Sequence, residues 1–162
     1  MISKDKVSVL FVCLGNICRS PSAHGVFQTL VERQGLSDRI RVDSAGTAAY
    51  HIGKAPDPRS IAAAKGRGYD LTRLRARQVS ADDFNEYDYI LAMDNENLAN
   101  LKTLKADGYR GKLGLFLDYA QSIESEVPDP YYGGDAGFNH VLDLVENAST
   151  GLLMSIQRDH RL

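Results

Sequence analysis

The chain has 162 residues, 43% of them hydrophobic and 25% charged, with a formal net charge of −2. That is enough for one domain over residues 1–162 with a core of its own and no need of disulfide or metal staples. Without a Lys/Arg block or a basic stripe, and with no run near the roughly 20 apolar residues of a membrane span, the composition argues against nucleic-acid and membrane binders. The two cysteines, Cys13 and Cys18, share one short loop, which excludes a secreted disulfide framework and points to a reducing, cytoplasmic compartment.

The first element is Val7-Ser8-Val9-Leu10-Phe11-Val12, a β-branched apolar run of the kind buried on both faces of a parallel sheet. Lys4 and Lys6 precede it, but the run is too short and lacks the cleavage pattern of a signal peptide. Residues 20–34 then read as a helix with Ala23, Val26, Phe27, Leu30 and Val31 inward, capped by Ser20, opened by Pro21 and closed by Gly35. A second strand is expected from Arg39 to Ser44. Asp57 and Pro58 begin a second helix that stops near Gly66 to Gly68. Tyr87 to Met93 reads as a third strand, Asn95 to Lys105 as a third helix, and Leu113 to Leu117 as a fourth strand. Phe138, Val141, Leu142, Val145, Leu152, Leu153 and Ile156 mark a long last helix that runs through Gly151. Strands alternating with helices predict an α/β fold, a four-stranded parallel doubly wound sheet with helices on both faces. Such sheets bind ligands beyond the carboxyl ends of their strands, at the topological switch point.

The first strand delivers Cys13 to that end. The following residues, Leu14, Gly15, Asn16, Ile17, Cys18, Arg19 and Ser20, lead straight into a helix. Their backbone N–H groups should therefore converge on one phosphate-sized anion. The same geometry that attracts an anion stabilises a thiolate, making Cys13 a nucleophile. Arg19 is placed to bind two phosphate oxygens through its planar fork, as a lysine could not. Gly15 and Asn16 tolerate the left-handed backbone that turns amides inward, and the Ser20 hydroxyl should lie near the Cys13 sulfur. Of the clustered Arg67, Arg73, Arg75 and Arg77, a solvated face is the expectation. The four histidines, His24, His51, His140 and His160, are scattered and make no ligand set, and Cys13 and Cys18 are poorly spaced for zinc. No metal is assigned.

The stretch Cys13 to Ser20 resembles the low-molecular-weight protein tyrosine phosphatases almost letter for letter. So, in the family's order, do Asp43-Ser44-Ala45-Gly46-Thr47, Pro56-Asp57-Pro58-Arg59, Ala76-Arg77-Gln78, Tyr87-Asp88-Tyr89-Ile90, Met93-Asp94 and Asp129-Pro130-Tyr131-Tyr132-Gly133. The resemblance implies a flavodoxin-like fold. It implies a catalytic set of Cys13, Arg19 and Asp129, with Asp129 as general acid, and pocket walls from Leu14, Ile17, Tyr50, Tyr131 and Tyr132. It also implies loop support by Asn16, Ser20 and Ser44, with Ser20 stabilising the leaving thiolate, and a redox role for Cys18, which traps Cys13 as a disulfide. Phosphotyrosine proteins or peptides are the implied partners, inorganic phosphate or vanadate the anion ligands, and no cofactor is implied. Two positions depart from the pattern: Leu74 where a His is common in the network bracing the anion loop, and His24 where a Glu is common. An arsenate reductase on the same fold has a similar anion loop; an internal three-cysteine relay is impossible with two cysteines, while a glutaredoxin-assisted version stays open and is distinguished by whether thiol-reducing partners stimulate activity. A phosphotyrosine-binding module without catalysis is opposed by the intact Cys13, Arg19 and Asp129.

Overall fold

The computed structural model describes residues 6–131 and 134–162. Its sheet has the strands β1 (Val7–Cys13), β2 (Ile40–Gly46), β3 (Tyr89–Ala92) and β4 (Lys112–Leu115), all parallel, in the order β2-β1-β3-β4. Every residue of β1 is buried, because the sheet covers both its edges and helices cover both its faces.

The helices are α1 (Arg19–Arg33), α2 (Pro58–Lys65), α3 (Asn95–Leu104) and α4 (Asp135–His160). On one face Val9 and Phe11 meet Phe27 and Val31 of α1 and the Val141, Val145, Leu152 and Ile156 stripe of α4. On the other, Leu10 and Val12 meet Leu101 of α3, flanked by Leu98 and Leu104. The alternation along β1 is thus a division between two cores. The strand order reverses between β1 and β3, so the crevice lies beside the end of β1.

Local signals account for most boundaries. The Asp57 carboxylate accepts from the Arg59 amide at 2.8 Å and caps α2. Gly35 follows α1 at φ +70. Gly151 does not interrupt α4: a Cβ there would stand 1.9 Å from the Tyr119 carbonyl oxygen, so glycine is what lets the helix pack against that turn. Two expectations need correction. The cap of α1 is Cys18 rather than Ser20, which is the second helical residue and spends its hydroxyl elsewhere. The fourth strand ends at Leu115, and Phe116 and Leu117 stay buried in a 3-10 turn, Phe116–Tyr119. A short apolar run looks the same in either conformation.

Candidate active site

The five residues between β1 and α1, Leu14 to Cys18, wrap around the Cys13 sulfur together with the first turn of α1. Asn16 is the pivot, at φ 57, whereas Gly15 is not in the left-handed region that both residues tolerate. The Asn16 amide points at Cys13 Sγ across 3.3 Å and the Ser20 hydroxyl lies 3.0 Å from the same sulfur. Both are groups that can donate to a thiolate.

The loop is braced from behind. Asn16 Nδ2 donates to Ser20 Oγ at 2.7 Å, and Asn16 Oδ1 accepts from the Arg77 amide at 3.1 Å. The Arg77 guanidinium is gripped by Asp43 and by both oxygens of Asp83, each at 3.1 Å. Burial works against its charge, but these carboxylates outweigh burial and hold its pKa above the ordinary value. Arg67 is likewise paired, with Asp143 and Glu146. Of the four clustered arginines, Arg73 and Arg75 are the exposed ones, so the solvated-face expectation holds for those two and is corrected for Arg67 and Arg77. Gly46 closes the brace: a Cβ would come within 2.7 Å of the Leu14 carbonyl, so β2 runs directly under the loop.

Ser44 does not join that brace directly. Its hydroxyl pairs with His24 Nδ1 at 3.0 Å, and Leu74 lies half-buried against the larger core. Burial, with some help from Arg77, keeps the His24 pKa below its ordinary value, against the pull of Asp43. The two departures from the family pattern thus have a physical outcome. The residue at 24 is a neutral-leaning ring bonded to Ser44, and the residue at 74 is packing.

Arg19 is 3% exposed. Its Nη1 donates to Asp94 Oδ2 at 2.6 Å and to the Val127 carbonyl at 3.1 Å, while Nη2 stands 3.9 Å from Asp129 Oδ2. Burial opposes its charge, but Cys13, Asp94 and Asp129 hold its pKa above the usual value. Asp94 also caps α3 through Asn97 N, so one carboxylate fixes a helix and aims the arginine. Asp94 stands in the Met93-Asp94 motif, but nothing in the sequence assigns it a task in the site. An N-cap signal was visible, whereas the pairing spans 75 residues and has no local signature.

Asp129 faces the sulfur loop from a separate segment. Val127 N donates to the Met93 carbonyl at 2.7 Å, which anchors that segment to the end of β3, and Pro130 is buried against Gly137 of α4. The Tyr131 amide donates to Asp129 Oδ1 at 3.0 Å. Between the two segments lies a cleft of about 270 Å³ floored by Cys13, Gly15 and Arg19 and walled by Leu14, Ile17, Cys18, Tyr50, His51, Asp129 and Tyr131. All the expected wall residues are here except Tyr132, which lies outside the described residues. His51 was missed; its ring presses on Gly15, where a Cβ would meet Cδ2 at 3.0 Å. Cys18 is 5% exposed, and burial pushes its thiol up to about 12 despite a bond from Ser60.

The family model for the low molecular weight phosphotyrosine protein phosphatases matches residues 8–162. The Schizosaccharomyces pombe enzyme of that name is 46% identical over 152 residues, covering 93% of this chain and 97% of its own. The human one is 45% identical over 143 residues, covering 87% and 90%. In three dimensions the protein tyrosine phosphatase of Entamoeba histolytica, solved with Hepes in its active site, superposes with a TM-score of 0.90 at 40% identity over 97% of this chain and all of its own. A strand-loop-helix that wraps a cysteine, together with a family model matching residues 8–162 and these relatives, assigns the chain to the low molecular weight phosphotyrosine protein phosphatase family.

Proposed function

We propose that this protein hydrolyses phosphotyrosine and other aryl phosphate monoesters through a cysteinyl-phosphate intermediate, with phosphotyrosine proteins or peptides as substrates. The observation that carries the reading is the meeting, in one cleft, of a sulfur ringed by donors, a pinned arginine and a carboxylate from another segment.

In the first step the Cys13 thiolate attacks phosphorus in line with the phenolic oxygen. The loop amides and the outer edge of Arg19 receive the three equatorial oxygens, whose charge they stabilise without reorganising. Asp129 gives its proton to the departing phenolate, a contribution of typically ~10² to 10⁴. In the second step Asp129, now a carboxylate, takes a proton from water as the water attacks the cysteinyl phosphate. Cys13 leaves as a thiolate, with the Ser20 hydroxyl 3.0 Å away to receive the charge. Inorganic phosphate, or vanadate in its place, occupies the same cradle.

Leu14, Ile17, Tyr50 and Tyr131 make the walls apolar and aromatic, which suits a phenyl ring standing between the phosphate and the surface. The shorter phosphoserine does not span that depth. Cys18 is proposed as the partner that captures an oxidised Cys13, which makes the enzyme redox-sensitive. Both cysteines are free and buried, as suits a reducing, cytoplasmic setting. Among the described residues no helix is long and apolar enough to cross a membrane.

The test is turnover of matched phosphotyrosine and phosphoserine peptides with and without vanadate. Phosphotyrosine is expected to be hydrolysed, vanadate to block it and phosphoserine to be spared. Equal rates on both peptides would overturn the pocket argument, and binding without turnover would overturn the enzyme.

A further inference from the structure

The acid-bearing segment and the nucleophile loop belong to different parts of the chain; Arg19 reaches across at Val127, and a second side chain, from α2, bridges them at Tyr131. Arg59, in the first turn of α2, donates through Nε to Asp57 Oδ1 at 3.1 Å and through Nη2 to Asp57 Oδ2 at 2.9 Å. The same Nη2 donates to the Tyr131 carbonyl at 2.9 Å. One nitrogen with two hydrogens therefore serves both sides. The guanidinium also lies over the rings of Phe138, at 4.6 Å, and Tyr131, at 5.4 Å, contacts that favour a cation.

Both ends of this bridge lead into the site. On one side the Asp57 amide donates to the Ile17 carbonyl at 2.8 Å, in the middle of the loop that wraps Cys13. On the other, the Tyr131 amide donates to the Asp129 carboxylate at 3.0 Å. A continuous run of hydrogen bonds thus connects the nucleophile loop to the acid: Ile17, Asp57, Arg59, Tyr131, Asp129. Asp57 is 8% exposed and Arg59 holds its carboxyl below the usual carboxylate range, so the inner end of the bridge is a fixed anion. The outer end is the segment whose separation from Cys13 decides whether a proton reaches the leaving group.

We propose that Arg59 is a positioning residue that sets the distance of the Asp129 loop from the nucleophile loop. It touches neither substrate nor reacting atoms. The proposal rests on Asp129 being the general acid. A displacement of about 1 Å in such a group costs up to about 10²-fold, and the guanidinium is the group that ties Tyr131 to Asp57.

The experiment measures kcat/KM, which reports the phosphorylation step, for aryl phosphates of graded leaving-group pKa. The proteins are the parent, Arg59→Met, Arg59→Lys, Asp129→Ala and the Arg59→Met/Asp129→Ala double variant. Arg59→Met should lose about 10-fold on phenyl phosphate, part of the general-acid contribution, and about 2-fold or less on 4-nitrophenyl phosphate, whose leaving group scarcely needs the proton. Its plot against leaving-group pKa should steepen. Arg59→Lys, with one nitrogen, keeps a charge beside Asp57 but not the second bond to Tyr131, so its plot should steepen too. In the Asp129→Ala background, Arg59→Met should cost nothing further. An equal loss on every substrate, a further loss in the double variant, or an unchanged plot for Arg59→Met would each overturn the proposal. An unchanged plot for Asp129→Ala itself would overturn the acid assignment instead and the proposal with it, so the two failures leave different signatures.

Discussion

Arg19→Lys separates charge from shape at the centre of the site. The substitution keeps a cation in a position that is 3% exposed and faces Asp94, so it avoids stranding that carboxylate. What it removes is the second prong. Arg19 commits Nη1 to Asp94 and to the Val127 carbonyl and turns Nη2 toward the cleft. A lysine has one nitrogen for both duties, and Asp94 and Val127 hold it in the anchoring position. The transition state then loses at least one oxyanion donor, which costs about 10² to 10³ in kcat, or roughly 2.7 to 4 kcal/mol. Steady-state hydrolysis of 4-nitrophenyl phosphate reads the loss, and a thermal melt shows whether the fold survived. A drop of that size with little change in melting temperature is expected. A lysine variant within about 5-fold of the parent would refute the assignment of the outer guanidinium edge to the equatorial oxygens.

On the proposed redox role of Cys18, mild peroxide should inactivate the parent reversibly through a Cys13–Cys18 disulfide, and thiol should restore activity poorly in Cys18→Ser; equal recovery would leave Cys18 as packing. His24 makes the fold pH-sensitive. Its folded pKa lies below the ordinary 6.5, so the unfolded chain binds more protons as pH falls. The stability this ring contributes is present above about pH 6.5 and lost below it, down through the folded pKa. Denaturant melts at stepped pH should show this component in the parent and not in His24→Gln, and an identical pH profile in both would refute it.

How far the sequence could be read depended on how local each determinant is. Val7 to Val12, the Asp57 cap and the α4 stripe are set by neighbours a few residues away, and they stand where periodicity and capping placed them. Cys13, Arg19 and Ser20 share one turn of chain, so their meeting was legible too. Ser20 illustrates the limit: its type suits a helix cap, but the sulfur and Asn16 compete for the same hydroxyl and win. Asp94, His51 and Arg59 act across gaps that spacing cannot bridge, since Asp94 reaches Arg19 and Arg59 reaches Tyr131 only once the sheet brings the strand ends together. Asp129 belongs with them: its place came from resemblance, and it stands 3.9 Å from Arg19 only in the folded chain.

The covalent intermediate proposed on Cys13 can be caught. With 4-nitrophenyl phosphate, whose leaving group scarcely needs the proton, Asp129→Ala should slow the hydrolysis of the intermediate more than its formation, so rapid quenching followed by peptide mass mapping should find one phosphoryl group on the peptide that carries Cys13. The Cys13→Ser/Asp129→Ala protein should carry none. Release of nitrophenol without protein-bound phosphate, or a phosphoryl group on any residue other than Cys13, would contradict the mechanism.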